Sequence, residues 1–163
     1  MLIGIMADSH DNLPMIEKAV NFFNQKEVKL VLHAGDFIAP FVVIRKLKNL
    51  FPPLIGVFGN NDGEKEGLRK EIAKIGEIHS PPFKLKYGGR KIVLSHASLD
   101  MKKIEESEYD LIVYGHTHQP EVRREKGALL VNPGECGGWL NGYSTIALVD
   151  LDKMEAQIVT LSS

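Results

Sequence analysis

Five short apolar runs in this chain each stop at a cluster of Asp, His or Asn. Leu2–Ala7 stops at Asp8-Ser9-His10, Val28–His33 at Gly35-Asp36, and Leu54–Phe58 at Gly59-Asn60-Asn61-Asp62. Lys91–Ser95 stops at His96, and Leu111–Tyr114 at Gly115-His116-Thr117-His118. Runs of this length bounded by turn residues read as buried strands. Amphipathic segments separate the first three. One is entered at Pro14 with Ile16, Ala19, Val20 and Phe23 at helical spacing, a second spans Phe41–Leu50 past Pro40, and a third spans Glu64–Ile75. The β-α-β-α-β-α order predicts a parallel sheet with crossover helices.

The second half changes character. Phe83–Tyr87 and Lys91–Ser95 flank Gly88-Gly89, a hairpin signal. A short helix is expected over Met101–Glu108, then strands at Leu111–Tyr114, Glu121–Glu125, Leu129–Val131, Ser144–Asp150 and Glu155–Leu161, with Asp152-Lys153 at the last hairpin tip. Two sheets face to face with helices outside satisfy both halves. A length of 163 residues without a repeat or linker is read as one domain, 1–163.

Charge and composition narrow the function classes. The net charge is −1, and the basic stretches Arg45-Lys46/Lys48 and Arg123-Arg124/Lys126 are short. Stable nucleic-acid binding normally needs a basic patch, so none is expected. No apolar run approaches the roughly 20 residues of a membrane helix. Cys136 is the only cysteine, which rules out an internal disulfide and fits a reducing compartment. Nothing resembles a signal peptide, and the expected location is cytoplasmic.

The five clusters fall where an open α/β sheet gathers ligand groups, beyond the carboxyl ends of its strands. In an extended segment residues i and i+2 point the same way, so Asp8 with His10, and His116 with His118, are expected to share a face. Taken singly, each motif reads as well as a helix cap or turn; Asn-Asn-Asp-Gly is ordinary turn chemistry. Five such coincidences, each supplying a residue suited to divalent metals, argue for one metal centre instead.

The order Asp-x-His, Gly-Asp, Gly-Asn-x-Asp, His, Gly-His-x-His resembles the signature of the calcineurin-like metallophosphoesterase superfamily. The likeness runs from Asp8 to His118. Chain size and the Asn132-Pro133-Gly134 turn resemble its small YfcE-type phosphodiesterase branch. The resemblance implies an α/β fold: a four-layer α/β/β/α sandwich with two mixed sheets. It also implies two divalent transition metals, Mn, Ni, Fe, Zn or Co, with Mn or Ni favoured. Asp8, His10, Asp36 and His118 would hold one ion, and Asp36 would bridge to a second completed by Asn60, His96 and His116. Two divalent cations against two carboxylates leave a net positive site that attracts phosphate. A hydroxide shared by the ions would hydrolyse a P–O bond of a small phosphodiester.

One departure matters. Many family members carry His where this chain has Asn61, and that histidine assists the leaving group. Asn61 donates a hydrogen bond but is no general acid at neutral pH. Slow turnover, or a preference for good leaving groups such as aryl alcohols, is therefore predicted. Asn61 and Asp62 are the candidate catalytic residues, with Asp62 either orienting Asn61 or capping the helix from Glu64. His33 is read as a support for the ligands or a packed strand residue. His79 is expected at the surface. Asn132-Pro133-Gly134-Glu135 is read as a pocket wall or a plain turn. Packing is expected for Cys136 and Trp139, with a substrate or dimer surface as the alternative for Trp139. The competing functions are a protein-binding scaffold like the retromer subunit of this fold, a nuclease, and a phosphomonoesterase or nucleotide pyrophosphatase. A homodimer is compatible with the resemblance.

Overall fold

The structure is a computed structural model that describes residues 1–161. Strands β1 (Leu2–Met6), β2 (Val31–His33), β3 (Leu54–Val57) and β4 (Gly76–His79) alternate with helices α1 (Leu13–Gln25), α2 (Phe41–Arg45) and α3 (Lys65–Ile72). Seven more strands complete the chain: β5 (Phe83–Tyr87), β6 (Arg90–Leu94), β7 (Leu111–Val113), β8 (Glu121–Glu125), β9 (Ala128–Asn132), β10 (Ser144–Asp150) and β11 (Glu155–Leu161). One sheet has the order β11-β10-β1-β2-β3-β4 and the other β5-β6-β7-β9-β8. In the first sheet β1 to β4 are parallel, and β10 joins β1 antiparallel. The second sheet has a parallel centre, β6-β7-β9, with an antiparallel strand on either side. Both sheets are mixed, as expected.

Each sheet's inner face feeds one core. Ile3, Ile5 and Leu32 of the first sheet pack with Leu94, Val113 and Val131 of the second, all fully buried. The opposite face of the first sheet carries the helices, where Ile16, Ala19, Val20 and Phe23 of α1 form the buried stripe that their spacing predicted. Close helix–sheet approach depends on Gly4: a Cβ there would sit 2.5 Å from the Phe23 ring. The layer on the far side of the second sheet is thin. The 3-10 turn Met101–Lys103 and its flanking loop cover Val93, Ile112, Tyr114 and Leu130.

Several elements differ from the sequence reading for local reasons. The helix expected over Phe41–Leu50 ends at Arg45, and Leu47–Asn49 continues as a 3-10 turn. Three consecutive β-branched residues, Val42, Val43 and Ile44, form a weak helix. The segment Met101–Glu108 forms only the 3-10 turn Met101–Lys103, entered at Asp100, which accepts from Lys102 N at 3.1 Å; Glu105, Glu106 and Glu108 would crowd a further turn with like charge. Strand β4 gave no sequence signal, with Ile78 its only large apolar residue. It pairs with β3, and its His79 is half-buried and stacked 3.6 Å from Phe83 rather than free at the surface.

Candidate metal centre

The loops after β1, β2, β3, β6 and β7 converge at one edge of the two sheets, laced by main-chain bonds. Asp8 N donates to Gly35 O at 3.0 Å, His10 N to Asp36 O at 3.1 Å, and Gly115 N to His96 O at 2.9 Å. The loops are not extended. Asp8 (φ 50°), His10 (44°), Asp36 (61°), His116 (68°) and His118 (59°) all adopt left-handed backbone. Such conformations cost energy for these residues and gather at functional sites. Asp8 and His10 therefore meet through left-handed turns rather than the i, i+2 alternation of a strand. His116 and His118 diverge into two neighbouring clusters.

In the first cluster Asp8 Oδ1 lies 3.7 Å from His10 Nε2 and 3.6 Å from His118 Nε2, and His10 Nε2 lies 3.2 Å from Asp36 Oδ2. Asp8 Oδ1 and His10 Nε2 are nevertheless buried without an aligned hydrogen-bond partner. In the second, Asn60 Oδ1 lies 2.8 Å from His96 Nε2 and 3.0 Å from His116 Nδ1. His96 Nε2 also lies 3.6 Å from Asp36 Oδ2, so one carboxylate oxygen faces both clusters. Asp8–His10–His118 and Asp8–Asp36–His96 are each close enough, within 4.8 Å, to hold one ion. The residues fit divalent metal: Asp8 Oδ1 is buried without an aligned hydrogen-bond partner beside two histidines, and the mixed N and O donors suit a transition ion.

The electrostatics agree. Asp36, then Asp8, raise the His10 imidazole to about 10. Burial pushes Asp36 up, but His10 and the two Asn61 donors outweigh it and hold the carboxyl below its ordinary range. Two glycines allow the close approach. A Cβ on Gly59 would lie 2.0 Å from Asp36 Oδ1, and one on Gly115 would lie 2.8 Å from Asp8 Oδ2.

The surrounding residues hold these groups still. Asn61 clamps Asp36, its Nδ2 donating to Oδ2 at 2.7 Å and its main-chain N to Oδ1 at 2.9 Å. Asp62 takes neither of its two expected roles. Its buried carboxylate accepts from the amides of Asp36 (3.0 Å), Ile38 (2.7 Å) and Gly59 (2.7 Å), tying the second motif to the third. Helix α3 is entered at Glu64 without a side-chain cap. His33 is both packed and supporting. It stacks 3.6 Å from Phe37, accepts from Gly35 N on Nδ1, and so donates from Nε2 to Ser9 Oγ at 3.1 Å. Asn132 donates to Gly115 O and Thr117 Oγ1, fixing the Gly-His-Thr-His turn.

Sequence reasoning missed Glu135 as more than a wall and missed Asn141 altogether. Glu135 is buried 3.4 Å from His118 Nδ1 and accepts from the amides of Trp139, Leu140 and Asn141. Asn141 Nδ2 donates to His118 O at 2.8 Å. A charged residue inside a Gly-rich stretch was the available signal. Cys136 is fully buried, and burial pushes its thiol up to about 12.

A family model for the calcineurin-like phosphoesterase superfamily domain matches residues 1–154. The chain is 38% identical to a phosphodiesterase of Methanocaldococcus jannaschii, covering 99% of both proteins. It is 24% identical to phosphodiesterase YfcE of Escherichia coli, over 82% of this chain and 78% of that protein. Among solved structures, a novel archaeal phosphodiesterase superposes with a TM-score of 0.92 at 36% identity, covering 99% of this chain and 100% of the other. Zinc-bound Vps29 of Entamoeba histolytica, at 18% identity and a TM-score of 0.66 over 99% and 100% of the chains, shares the fold.

Proposed function

The chain belongs to the calcineurin-like phosphoesterase superfamily, and we propose that it is a phosphodiesterase whose metal centre is built by Asp8, His10, Asp36, Asn60, His96, His116 and His118. Asp8, His10, Asp36 and His118 would hold one divalent ion; Asn60, His96 and His116 would hold a second, with Asp36 shared. Mn, Ni, Fe, Zn and Co all suit this donor set. Bound there, such ions supply Lewis acidity that acidifies water and stabilises charge on phosphoryl oxygens.

The chain's own residues set the geometry for that chemistry. Asn61 and Asp62 hold Asp36 from both sides, the former through its carboxylate and the latter through its amide. His96 is oriented by its Nδ1, which donates to Ala34 O at 2.8 Å and leaves Nε2 bare for a cation. Asn61 carries an amide, so it offers no proton to a poor leaving group. Cys136, buried and protonated, is no nucleophile. The expected substrate is a small diester with a good leaving alcohol rather than nucleic acid, in keeping with the net charge of −1. The enzyme would act as one domain, in the cytoplasm, where its lone thiol stays reduced.

The observation that carries this reading is the convergence of Asp8, His10, Asp36, Asn60, His96 and His116 at one sheet edge, where two sets of three, Asp8–His10–His118 and Asp8–Asp36–His96, each lie close enough to share an ion and Asp8 Oδ1 is buried without an aligned hydrogen-bond partner. The test is hydrolysis of bis(p-nitrophenyl) phosphate with Mn, Ni, Fe, Zn or Co, set against metal-free protein and His116→Ala. Activity in the metal-loaded wild type alone supports it; a metal-loaded wild type inactive with all five overturns it.

A further inference from the structure

The segment Gly137–Tyr143 exposes apolar side chains beside the metal centre: Trp139 is 64% exposed, Leu140 75% and Tyr143 45%. Apolar groups clustered in the open need an occupant more than isolated ones do. The indole is not free to move. Its Nε1 donates to His10 O at 3.0 Å, and its main-chain N donates to the buried Glu135 carboxylate at 2.8 Å. Two further residues pin the loop, since Asn12 Nδ2 donates to Gly137 O at 2.6 Å and Asn141 Nδ2 to His118 O at 2.8 Å. The loop thus spans from one metal-centre histidine to another. Beside the indole lies a pocket of about 280 Å³, walled by Asn12, Met15, Trp139 and Tyr143. Its wall begins two residues from His10.

We propose that Trp139 is a specificity-determining residue: its fixed indole and the adjoining pocket receive a flat aromatic group, the ester of the diester that is not being cleaved. An exposed aromatic held in place in advance binds a ring at low entropic cost. A volume of about 280 Å³ has room for one aryl or heterocyclic ring. A second protein copy is the other occupant for an exposed Trp. The two hydrogen bonds that fasten this loop to His10 O and His118 O favour substrate, because a docking patch needs no such alignment with the metal centre. This proposal rests on the phosphodiesterase reading above, and its test separates the two.

Two diesters with the same leaving group are compared, bis(p-nitrophenyl) phosphate and methyl p-nitrophenyl phosphate, so that only the retained ester differs. Wild type is expected to prefer the diaryl ester in kcat/KM. Trp139→Ala should cut that preference by about tenfold, the scale of one lost aromatic stack, and Trp139→Phe should keep most of it. Trp139 is the only tryptophan, so its fluorescence gives a readout independent of turnover. Phenylphosphonate should quench it in the metal-loaded protein at concentrations where methylphosphonate does not. An unchanged preference in Trp139→Ala overturns the proposal, as does an unchanged preference with a lowered mass at sedimentation equilibrium, which assigns the patch to self-association. If neither ester is hydrolysed, the activity reading fails by itself and the quench decides: equal response to the two phosphonates then overturns the platform.

Discussion

His96 Nε2 and His116 Nδ1 lie 3.2 Å apart, and Asn60 Oδ1 faces both. Because His96 Nδ1 donates to Ala34 O, neutral His96 offers its neighbours only a lone pair. A proton on His116 Nδ1 can link these atoms in the metal-free protein, and a cation would take its place among the same three atoms. His116→Ala should therefore lower the bound metal from two ions per chain towards one. Hydrolysis should fall by at least about 100-fold, since even groups that merely support metal ligands are worth 10–100-fold. Metal analysis of dialysed protein beside kinetics checks this. Two ions retained with activity intact would remove His116 from the centre.

Metal loading should release a proton from His10. In the metal-free protein Asp36 and Asp8 hold its imidazole at about 10, so at neutral pH it is protonated and must lose that proton to become a ligand. Apparent affinity is expected to rise roughly tenfold per pH unit between about 6.5 and 8.5. The stability of the metal-free fold should follow the opposite trend. A raised imidazole contributes stability that is complete below its ordinary pKa and is lost as pH climbs through about 10. Calorimetric titration in buffers of different ionisation heat counts the protons, and His10→Gln should release about one fewer.

Acid should act through His33. Burial holds this ring down to about 3, so the folded protein keeps it neutral while the unfolded chain protonates it near 6.5. Its contribution to stability is complete above 6.5 and lost as pH falls towards 3. Between pH 7 and 5 that loss is about 2 kcal/mol. His33→Gln should flatten this part of the profile in urea titrations. An equally steep acid loss in the variant would place the sensitive group elsewhere.

The alternation of strands and helices in the first half and the five motif positions were legible because both are written in local pattern: apolar runs, helical spacing, and polar residues where the runs stop. The left-handed backbone at Asp8, His10 and His118 was not, because strand periodicity says nothing about the residue just past a strand. Strand β4 was invisible for the opposite reason. Gly76-Glu77-Ile78-His79 has almost no pattern and is held as a strand by pairing with β3. Glu135 shows the wider limit. Its role comes from lying between His118 and the Trp139 loop, a relation across the fold that no spacing encodes.

Asp62 is expected to matter for stability before chemistry. Its carboxylate satisfies the buried amides of Asp36 and Gly59 and the part-buried amide of Ile38. Asp62→Ala should cost about 3 kcal/mol or more, given 1–3 kcal/mol for each buried donor left unpaired. Asp62→Asn, which keeps one good acceptor, should lose less. Chemical denaturation measures both, and metal affinity should fall in the same order because Asp36 N is one of the three donors. A variant of full stability and weak catalysis would return Asp62 to a direct catalytic role.

Asn61 offers the sharpest test of mechanism, because one substitution separates its two roles. Its Nδ2 holds Asp36 Oδ2 at 2.7 Å, which positions a metal ligand, yet its amide supplies no proton to a departing alkoxide. Asn61→Ala removes only the clamp, and its effect should be the same for good and poor leaving groups. Asn61→His adds a titratable donor at the same place, and its gain should grow as the leaving alcohol becomes more basic. General-acid assistance is worth roughly 100-fold or more, so alkyl esters should gain on that scale while p-nitrophenyl esters change little. The slope of log kcat against leaving-group pKa should therefore become shallower in the histidine variant and stay unchanged in the alanine variant. Parallel slopes for all three proteins would mean that the residue after Asn60 takes no part in leaving-group departure.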